Sequence, residues 1–408
     1  MNPEKSILAP SRGFERDVVV VGGCGHVGLP LAIAFADRGL SVAIYDIAEE
    51  VVTAVNAGTM PFLEEGASER LRAALLAGRL AAGTDPAVVQ TAEHILVVIG
   101  TPVDEHLNPD PRAVPRALSQ CAPYFRDGQL LVLRSTVYPG VTARVESVIA
   151  KLGLDIEVAF CPERIAEGRA MTELFSLPQI VSARSDRARQ RASDLFSHLT
   201  PSIVHLEPEE AELAKLFTNA WRYIKFAAAN QFFVMANDHG LDFSRIHAGL
   251  TEDYPRAADM PGAGFAAGPC LLKDTMQLAS FMDNSFILGH AAMLVNEGLP
   301  LYLMGRLSER IDLESSTVGI LGMAFKGGSD DTRSSLAYKL KKILQFRAGE
   351  VLCTDPYVTT DNELVPLDEV LEKSDLLIIA APHPEYASLE TKAQVVDVWN
   401  LLGTGTLA

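Results

Sequence analysis

Residues 17–28 of this 408-residue chain read DVVVVGGCGHVG, a run of β-branched residues that leads into a glycine-rich turn. A continuous apolar run is typical of a strand that is buried on both faces of a parallel sheet. Helical apolar spacing follows as far as Gly39, and SVAIYD then predicts a second strand that ends at Asp46. This stretch therefore predicts a strand–helix–strand unit, the building block of a doubly wound α/β fold.

The turn has the spacing of a dinucleotide-binding motif. Gly23, Gly25 and Gly28 permit a tight turn and let backbone N–H groups approach a pyrophosphate at the helix N-terminus. Asp46 can accept the ribose hydroxyls, which favours NAD over NADP. The alternative is a turn without a ligand. The position of the motif between a strand and a helix favours NAD binding over that alternative.

Strand and helix patterns continue along the chain and return near its end. Together they predict an α/β protein with two doubly wound Rossmann-like domains, joined by a long central helix and a helical middle domain. The expected boundaries are 1–205 for the NAD-binding domain, 206–312 for the central domain and 313–408 for the second Rossmann-like domain. Further strands are predicted at 94–100, 129–136, 317–325, 350–356, 375–382 and 394–399, and long helices at 208–239 and 283–310.

The overall charge and the cysteine spacing argue against several classes of protein. A formal net charge of −17 argues against binding to nucleic acid or to an anionic membrane, since both require a basic surface. Five widely spaced cysteines without a CxxC pair indicate neither a disulfide framework nor a zinc site, and the histidines are scattered, so no metal is expected. The N-terminus has no apolar signal segment and no apolar run reaches about 18 residues, so we expect a cytoplasmic protein without a membrane span.

Two polar segments are candidates for chemistry. Lys215 and Asn219 lie four residues apart and share a helix face, on which a buried cation and an amide donor would stabilise a developing oxyanion. The alternative, which spacing alone favours, is a solvated and salt-bridged face. The segment CPERIAEG, 161–168, follows an apolar run where a strand should end, so its carboxylates and arginine suit a general base and a substrate clamp. An ion-paired surface loop is an equal alternative.

Residues 264–275, GFAAGPCLLKDT, place Cys270 in a loop of small residues just before a Lys-Asp pair. A cysteine nucleophile needs access, a positive neighbour that favours the thiolate, and oxyanion donors nearby. The residue alone favours the alternative, a structural thiol.

In the second Rossmann-like half, Lys326 and Arg333 lie where phosphates would be bound, so we expect a nucleotide diphosphate held by cations rather than by a glycine turn.

Taken in order from VVVVGGCGHVGLPLA to VVDVWN, these motifs cover nearly the whole chain. They resemble those of the nucleotide-sugar 6-dehydrogenases, which include UDP-glucose, UDP-N-acetylhexosamine and GDP-mannose dehydrogenases. The resemblance implies NAD-dependent oxidation of a sugar C6 alcohol to a carboxylate, with two NAD used per turnover. It also implies a UDP-sugar substrate held by the C-terminal domain and a homodimer formed through the central helix.

The resemblance assigns the chemistry to matching residues. Cys270 is implied to trap the aldehyde as a thiohemiacetal, which becomes a thioester that water hydrolyses; the covalent bond retains the aldehyde between the two oxidations. Lys215 and Asn219 are implied to steady the oxyanions. Asp274 and Thr136 are implied to hold or activate the water that handles protons.

The resemblance also implies the binding residues, and it makes Glu163 the base for thioester hydrolysis. The implied cofactor contacts are Gly23, Gly25, His26, Val27, Gly28, Asp46, Thr101, Pro102, Ser135, Thr136 and Glu167. The implied substrate contacts are Glu163, Arg164, Ile165, Lys215, Asn219, Gly264, Phe265, Lys326 and Arg333, with Arg256 reaching the substrate from the partner subunit.

Three segments bear on the identity of the sugar. The PER form of 162–164 resembles the N-acetylhexosamine branch, whereas the Lys-Asp pair after Cys270 resembles the glucose branch. Trp399 stands where many members carry an arginine. We expect a UDP-N-acetylhexosamine of the manno or gluco series, with UDP-glucose as the alternative. More distant alternatives are a single-step Rossmann dehydrogenase and a non-catalytic regulator that binds NAD or a nucleotide sugar.

Overall fold

The computed structural model describes residues 13–101, 110 and 112–406. The chain divides into two compact units, Met1–Leu216 and Phe217–Ala408, and the boundary falls inside one long helix. None of the described helices combines the length and apolarity that a membrane crossing needs.

The first unit is built on an open sheet of eight described strands in the order β3-β2-β1-β4-β5-β6-β7-β8. Neighbouring strands are parallel except for β6 and β7. The described elements are β1 Arg16–Val21, α1 Gly28–Asp37, β2 Val42–Tyr45, α2 Glu49–Asn56, α3 Ala67–Leu76, β3 Leu80–Gly83, β4 Ala92–Val97, α4 Ala113–Cys121, β5 Leu130–Leu133, α5 Val141–Ala150, β6 Glu157–Phe160, α6 Ala170–Ser176, β7 Gln179–Ala183, α7 Asp186–Ser197, β8 Ile203–Leu206 and the start of α8 Pro208–Asp238.

The central strand β1 shows why its sequence is apolar throughout. Val18 and Val20 belong to one hydrophobic cluster, while Val19 and Val21 belong to a second. Successive side chains of a strand point to opposite faces, so β1 supplies two apolar layers at once. The doubly wound arrangement predicted from the sequence is therefore confirmed in this unit.

The far edge of this sheet departs from an all-parallel prediction. Strand β7 runs antiparallel to β6, pairing Ala159 with Ala183 and Phe160 with Ser182. The Ser182 hydroxyl also donates to the Phe160 carbonyl at 2.7 Å. The strands β3, β7 and β8 were not predicted. Strand β3 reads LAAG without a β-branched residue, and β8 is a short strand with exposed positions, so neither carries a buried-strand pattern.

The second unit holds a four-stranded parallel sheet in the order β10-β9-β11-β12. The predicted strands of the C-terminal half and both long helices are present. Its described elements are the remainder of α8, α9 Phe243–Thr251, α10 Leu271–Phe281, α11 Ile287–Ser308, β9 Thr317–Leu321, α12 Leu336–Leu344, β10 Glu350–Thr354, α13 Leu367–Lys373, β11 Leu376–Ile379 and β12 Gln394–Val396. One cluster joins Phe233 of α8, Leu303 of α11 and Ile320 of β9, so the helices and the sheet share a core.

Candidate active site

The three glycines of the motif after β1, Gly23, Gly25 and Gly28, have different surroundings. A Cβ added at Gly23 would lie 2.8 Å from Ile44 Cγ2, and one at Gly28 would lie 2.6 Å from the Cα of Gly23. These two positions allow the turn and α1 to pack closely on the sheet. A Cβ at Gly25 would meet no atom within 4 Å, so its backbone is open to a ligand. This division matches the roles of the glycines in a pyrophosphate-binding turn.

The N-terminus of α1 and the end of β2 complete this part of the site. Val27 is the N-cap residue and supplies no side-chain cap, and the first turn holds no acid, so the positive end of the helix suits an anion. The Asp46 carboxylate accepts from the Cys24 amide at 2.9 Å and from the Ala48 amide at 3.1 Å. The His26 ring stacks on Phe62, with ring centroids 4.1 Å apart.

The loops after β4 and β5 are tied together at the carboxyl edge of the sheet. The Thr101 hydroxyl donates to the carbonyl of Thr136 at 2.6 Å, and the Ser135 hydroxyl accepts from the Ile99 amide at 2.9 Å. Ligands of open α/β sheets bind at this edge. The structure therefore places Thr101, Ser135 and Thr136 together, while Pro102 lies outside the described residues.

The loop that follows β6 contains Glu163, whose carboxylate is extensively bound. It forms an ion pair with the buried Arg134 and accepts from the amides of Arg164 and Ile165 at 2.7 and 3.1 Å. Burial favours a raised pKa for Glu163, but the Arg134 charge, the Arg134 hydrogen bond and the two amides together hold its pKa below the ordinary value. Glu163 is therefore a carboxylate that stays ionised and is held in one orientation.

Two more carboxylates fix the same loop by binding its backbone. Glu64 accepts from the amides of Gly168 and Ala170 at 2.9 and 2.7 Å, and Glu173 accepts from Ala166 at 2.7 Å. The Arg164 guanidinium donates to the carbonyl of Pro178. Glu167 lies between these anchors and is partly buried. Sequence reasoning missed Arg134 and Glu64, since nothing in their local pattern reports partners 29 and 104 residues away.

In the second unit, Cys270 is the N-cap residue of α10 and is exposed. All five cysteines are described, and the other four are buried. Burial raises the pKa of these thiols to about 12 for Cys24 and Cys161, and to about 11 for Cys121 and Cys353. Among the cysteines, Cys270 alone combines access with a place at the N-terminus of an eleven-residue helix.

Behind the cysteine, Asp274 is fully buried in a polar network. The Asn219 amide donates to its carboxylate at 2.5 Å, and the Lys273 ammonium lies 2.9 Å from its other oxygen. The Lys273 charge is thus paired with Asp274. Lys215 precedes Asn219 by four residues in α8 and is 9% exposed, so a solvated helix face is wrong for this pair.

The small-residue loop before Cys270 packs closely against its own unit. Asn230 donates to the Gly264 carbonyl and accepts from its amide, both at 2.9 Å. A Cβ at Gly264 would overlap the ring of Trp399, whose Nε1 donates to Ala380 at 3.2 Å. Phe265 is buried. The tryptophan, which lies in the segment after β12, therefore covers this glycine.

The predicted cations of the second unit have different settings. Arg333 donates through Nε to both oxygens of Asp331 at 2.9 Å, so its charge is paired locally. Lys326 is partly buried and lies over the Phe325 ring. A Cβ at Gly268 would lie 2.5 Å from that ring, so the segment carrying Lys326 packs two residues from Cys270. Arg256 is exposed.

Glu212 has a structural role that its sequence position did not reveal. Its buried carboxylate accepts from the amides of Gly140 and Thr142 at 2.7 and 2.8 Å, and from the Thr142 hydroxyl at 2.6 Å. It therefore caps the start of α5. The apolar residues around it were the signal that this acid is buried. Within the described ranges, no three His, Cys, Asp or Glu side chains are grouped to hold a metal ion.

An open glycine turn on a buried strand, with an acid at the end of the next strand, is the arrangement of a dinucleotide-binding site. The comparisons with known proteins show that the chain is an NAD-dependent dehydrogenase that acts on nucleotide sugars. Models of the NAD-binding, central and UDP-binding domains of the UDP-glucose/GDP-mannose dehydrogenase family match residues 17–200, 209–297 and 319–404. The chain belongs to this family. It is an enzyme rather than a non-catalytic binding protein.

Named relatives and solved structures agree with this assignment. The chain is 32% identical over 384 residues to the UDP-N-acetyl-D-mannosamine dehydrogenase of Pyrococcus horikoshii, covering 91% of this chain and 90% of that protein. A structure of UDP-D-ManNAc dehydrogenase from the same organism has a TM-score of 0.87 at 30% identity, covering 94% and 96% of the two chains. A UDP-glucose dehydrogenase structure from Pyrobaculum islandicum has a TM-score of 0.88 at 29% identity, covering 96% and 95%.

Proposed function

We propose that this enzyme oxidises the C6 hydroxymethyl group of a UDP-N-acetylhexosamine to the uronate. UDP-ManNAc is the first candidate for the substrate. The observation that carries the chemistry is the exposed Cys270 at the N-terminus of α10, beside a buried Asp274–Asn219 pair. The sugar follows from the relatives, several of which are named UDP-N-acetyl-D-mannosamine dehydrogenases. UDP-GlcNAc is the second candidate substrate, and the Pyrobaculum structure supports UDP-glucose as the alternative.

The proposed reaction has three stages. NAD, when bound, accepts a hydride in each of the two oxidations. After the first, the Cys270 thiolate adds to the C6 aldehyde and forms a thiohemiacetal, whose oxyanion Lys215 and Asn219 stabilise. After the second, the carbon is a thioester, and water replaces the sulfur to give the carboxylate and free Cys270. The covalent bond keeps the aldehyde in the enzyme while the cofactor exchanges.

Asp274 and Glu163 support the proton transfers in different ways. Asp274 is buried and bound by Asn219 and Lys273. We assign to Asp274 and Thr136 the water that relays protons. Glu163 stays ionised because its pKa lies below the ordinary value. We propose Glu163 as the base in thioester hydrolysis, since an ionised carboxylate can accept a proton from the attacking water.

The proposed binding roles follow the same division. The glycine turn and Asp46 bind NAD, together with Thr101, Ser135, Thr136 and Glu167. The C-terminal segment binds the UDP moiety through Lys326 and Arg333, and Arg164, Ile165, Gly264 and Phe265 contact the sugar nucleotide. We propose 1–205, 206–312 and 313–408 as the corresponding domains in a cytoplasmic enzyme; the family matches change between 200 and 209 and between 297 and 319.

The proposed reaction is tested by the ratio of NADH formed to sugar nucleotide consumed. Purified enzyme is incubated with NAD and UDP-ManNAc, UDP-GlcNAc, UDP-GalNAc, UDP-glucose or GDP-mannose, and NADH is counted per sugar consumed. We expect two NADH and a uronate from UDP-ManNAc. One NADH with an aldehyde product would reject the thioester route, and preference for UDP-glucose would move the substrate to the alternative.

A cysteine variant tests the nucleophile separately. Iodoacetamide should modify Cys270 in the native protein, since the four other thiols are buried with raised pKa values. Cys270→Ser should lower turnover by roughly a thousandfold or more, because the covalent route is lost. NAD affinity should not change. Modification of the wild type without loss of turnover would contradict the assignment.

We also propose a homodimer formed through α8. Phe217, Trp221, Phe232 and Met235 are each 47–57% exposed, and helical spacing places them within an arc of roughly 60°. Such an exposed apolar stripe marks an interaction surface, and a second copy of the same helix is its proposed occupant. Light scattering should give a dimer for the wild type and a monomer for Trp221→Glu/Phe232→Glu. In that dimer we assign Arg256, which is exposed, to the partner's substrate.

A further inference from the structure

His383 lies in the loop after β11 and is fully buried. Its Nδ1 lies 3.1 Å from the backbone nitrogen of Gly328, and its Nε2 lies 3.0 Å from a carboxylate oxygen of Asp355. A backbone N–H can only donate, so Nδ1 is the acceptor and the ring proton is on Nε2, which donates to Asp355. The two partners thus select a neutral ring with one tautomer.

Asp355 binds the other end of the same segment. Its carboxylate accepts from the amides of Met323 and Ala324 at 2.7 and 2.9 Å, and from those of Tyr357 and Val358 at 2.8 and 3.0 Å. The segment 323–328, named here the β9 loop, is therefore held at its start by Asp355 directly. It is held at its end through His383.

The middle of the β9 loop carries Phe325 and Lys326. A Cβ at Gly327 would overlap the carbonyl oxygen of Pro382, so the loop lies directly against the chain that precedes His383. Phe325 packs against Gly268, two residues before Cys270. A loop released at Gly328 would therefore move Lys326 and the support of the cysteine loop together.

We propose that His383 is a positioning residue for the substrate nucleotide: its Nδ1 holds Gly328, and this bond sets the place of Lys326. The inference rests on the proposed function, in which Lys326 contacts the UDP moiety. His383 itself is buried behind the loop and acts through it. Loss of the bond leaves the partly buried N–H of Gly328 without this acceptor, which favours an altered loop.

Two amide variants separate the two bonds of the ring. In His383→Asn the amide oxygen lies near the place of Nδ1 and can accept from Gly328. In His383→Gln the amide nitrogen lies near the place of Nε2 and can donate to Asp355. We expect His383→Gln to weaken UDP binding by roughly tenfold and His383→Asn by less than about threefold, measured by calorimetry on the full chain. The KM for the UDP-sugar should rise in parallel, with the KM for NAD unchanged.

Controls distinguish this inference from its premise. His205→Gln changes an exposed histidine of β8 and should leave UDP and NAD binding unchanged. Lys326→Ala should weaken UDP binding; wild-type affinity there would overturn the assigned role of the loop, and the inference with it. If Lys326→Ala weakens binding but His383→Gln does not, or if both amide variants weaken it equally, the inference alone is overturned. Loss of NAD affinity in His383→Gln would likewise overturn it, because it would indicate general unfolding.

Discussion

The two Rossmann-like halves place an aspartate at the same point and use it differently. Asp46 follows β2 and Asp355 follows β10, and each carboxylate binds backbone amides of the turn after the preceding strand. Asp46 accepts from two amides and is partly exposed, whereas Asp355 accepts from four amides and from His383 with its side chain fully buried. A carboxylate has about four acceptor sites, so Asp355 has no capacity left for a ribose.

The glycines of the two turns differ in the same sense. Gly25 faces open space, while Gly327 lies against the Pro382 carbonyl. One turn is therefore built to receive a ligand at its backbone, and the other is packed by the protein itself. An acid at the end of the second strand therefore indicates a ribose site only where its carboxylate keeps acceptor sites that the protein's own N–H groups do not use.

The largest expected effect that separates the two halves is on stability. Asp355→Asn should destabilise the second unit by about 3 kcal/mol or more, because an amide nitrogen would face buried N–H donors and leave at least two without an acceptor. Asp46→Asn should cost less than about 1 kcal/mol, since its carboxylate is partly exposed. Both tryptophans, Trp221 and Trp399, lie in the second unit, so tryptophan fluorescence in urea follows that unit and reports on Asp355→Asn. Far-UV circular dichroism in urea follows the whole chain and also reports on Asp46→Asn in the first unit. Equal losses in the free energy of unfolding of the two variants would contradict the proposed difference between Asp46 and Asp355.

Lowering the pH should also destabilise the second unit, because it protonates Asp355. Burial opposes ionisation of Asp355, but the hydrogen bond from His383 and those from the backbone amides lower its pKa from 3.8 to about 2. A lowered folded-state pKa contributes stability above the unfolded value near 3.8, and this contribution is lost as the pH falls towards about 2. The wild type should therefore lose about 2 kcal/mol of its advantage over Asp355→Asn between pH 5 and pH 2. If the difference in free energy of unfolding between the two proteins did not change with pH, the charge of the Asp355 carboxylate would not be what stabilises the second unit.

Paired glycine substitutions test the packing of the two turns. Gly327→Ala should destabilise the second unit by about 1–3 kcal/mol, because a backbone carbonyl cannot move aside for the methyl group. Gly25→Ala should leave unfolding unchanged and weaken NAD binding, because the new methyl group would occupy the ligand's side of the turn. Thermal unfolding and NAD titration of both variants measure the contrast. A stable Gly327→Ala would show that the second turn is not closed.

The smallest expected effect is on cofactor affinity. Asp46→Asn should weaken NAD binding by roughly tenfold, equivalent to about 1.4 kcal/mol, because an amide is a poorer acceptor for the ribose hydroxyls. Affinity for UDP should stay at the wild-type value, which calorimetry with each ligand can check. Unchanged NAD affinity would mean that the open carboxylate does not bind the ribose.

Much of the fold could be predicted because burial leaves a direct trace in the sequence. Strands β1, β2, β4 and β5 are buried on both faces and therefore read as continuous apolar runs, and the uninterrupted pattern of 208–239 predicted α8. The antiparallel direction of β7 could not be predicted, since direction is set by the connection through α6 and not by the residues of the strand.

The candidate site divides along similar lines. Gly25 and Asp46 could be predicted because they stand in a local pattern with a chemical meaning. Cys270 was predicted as a nucleophile only through the family resemblance, since the residue alone favours a structural thiol. His383 and Arg134 were missed because their roles depend on partners 28 or more residues away, and a single buried cation or imidazole has no periodic signature. Lys273 could not be oriented from sequence, since only the folded helix shows its ammonium beside Asp274.

The Glu64 anchor of the loop after β6 has a consequence for the order of assembly during synthesis. Its partners Gly168 and Ala170 lie 104 and 106 residues further along the chain. At ribosomal speeds of about 5–20 residues per second, roughly 5 to 20 s separate the synthesis of the carboxylate from that of the amides it binds. The strands between them can pair in that interval, and contacts of such long sequence separation form late. The shape of this loop is therefore completed after strands β3 to β6 have been synthesised.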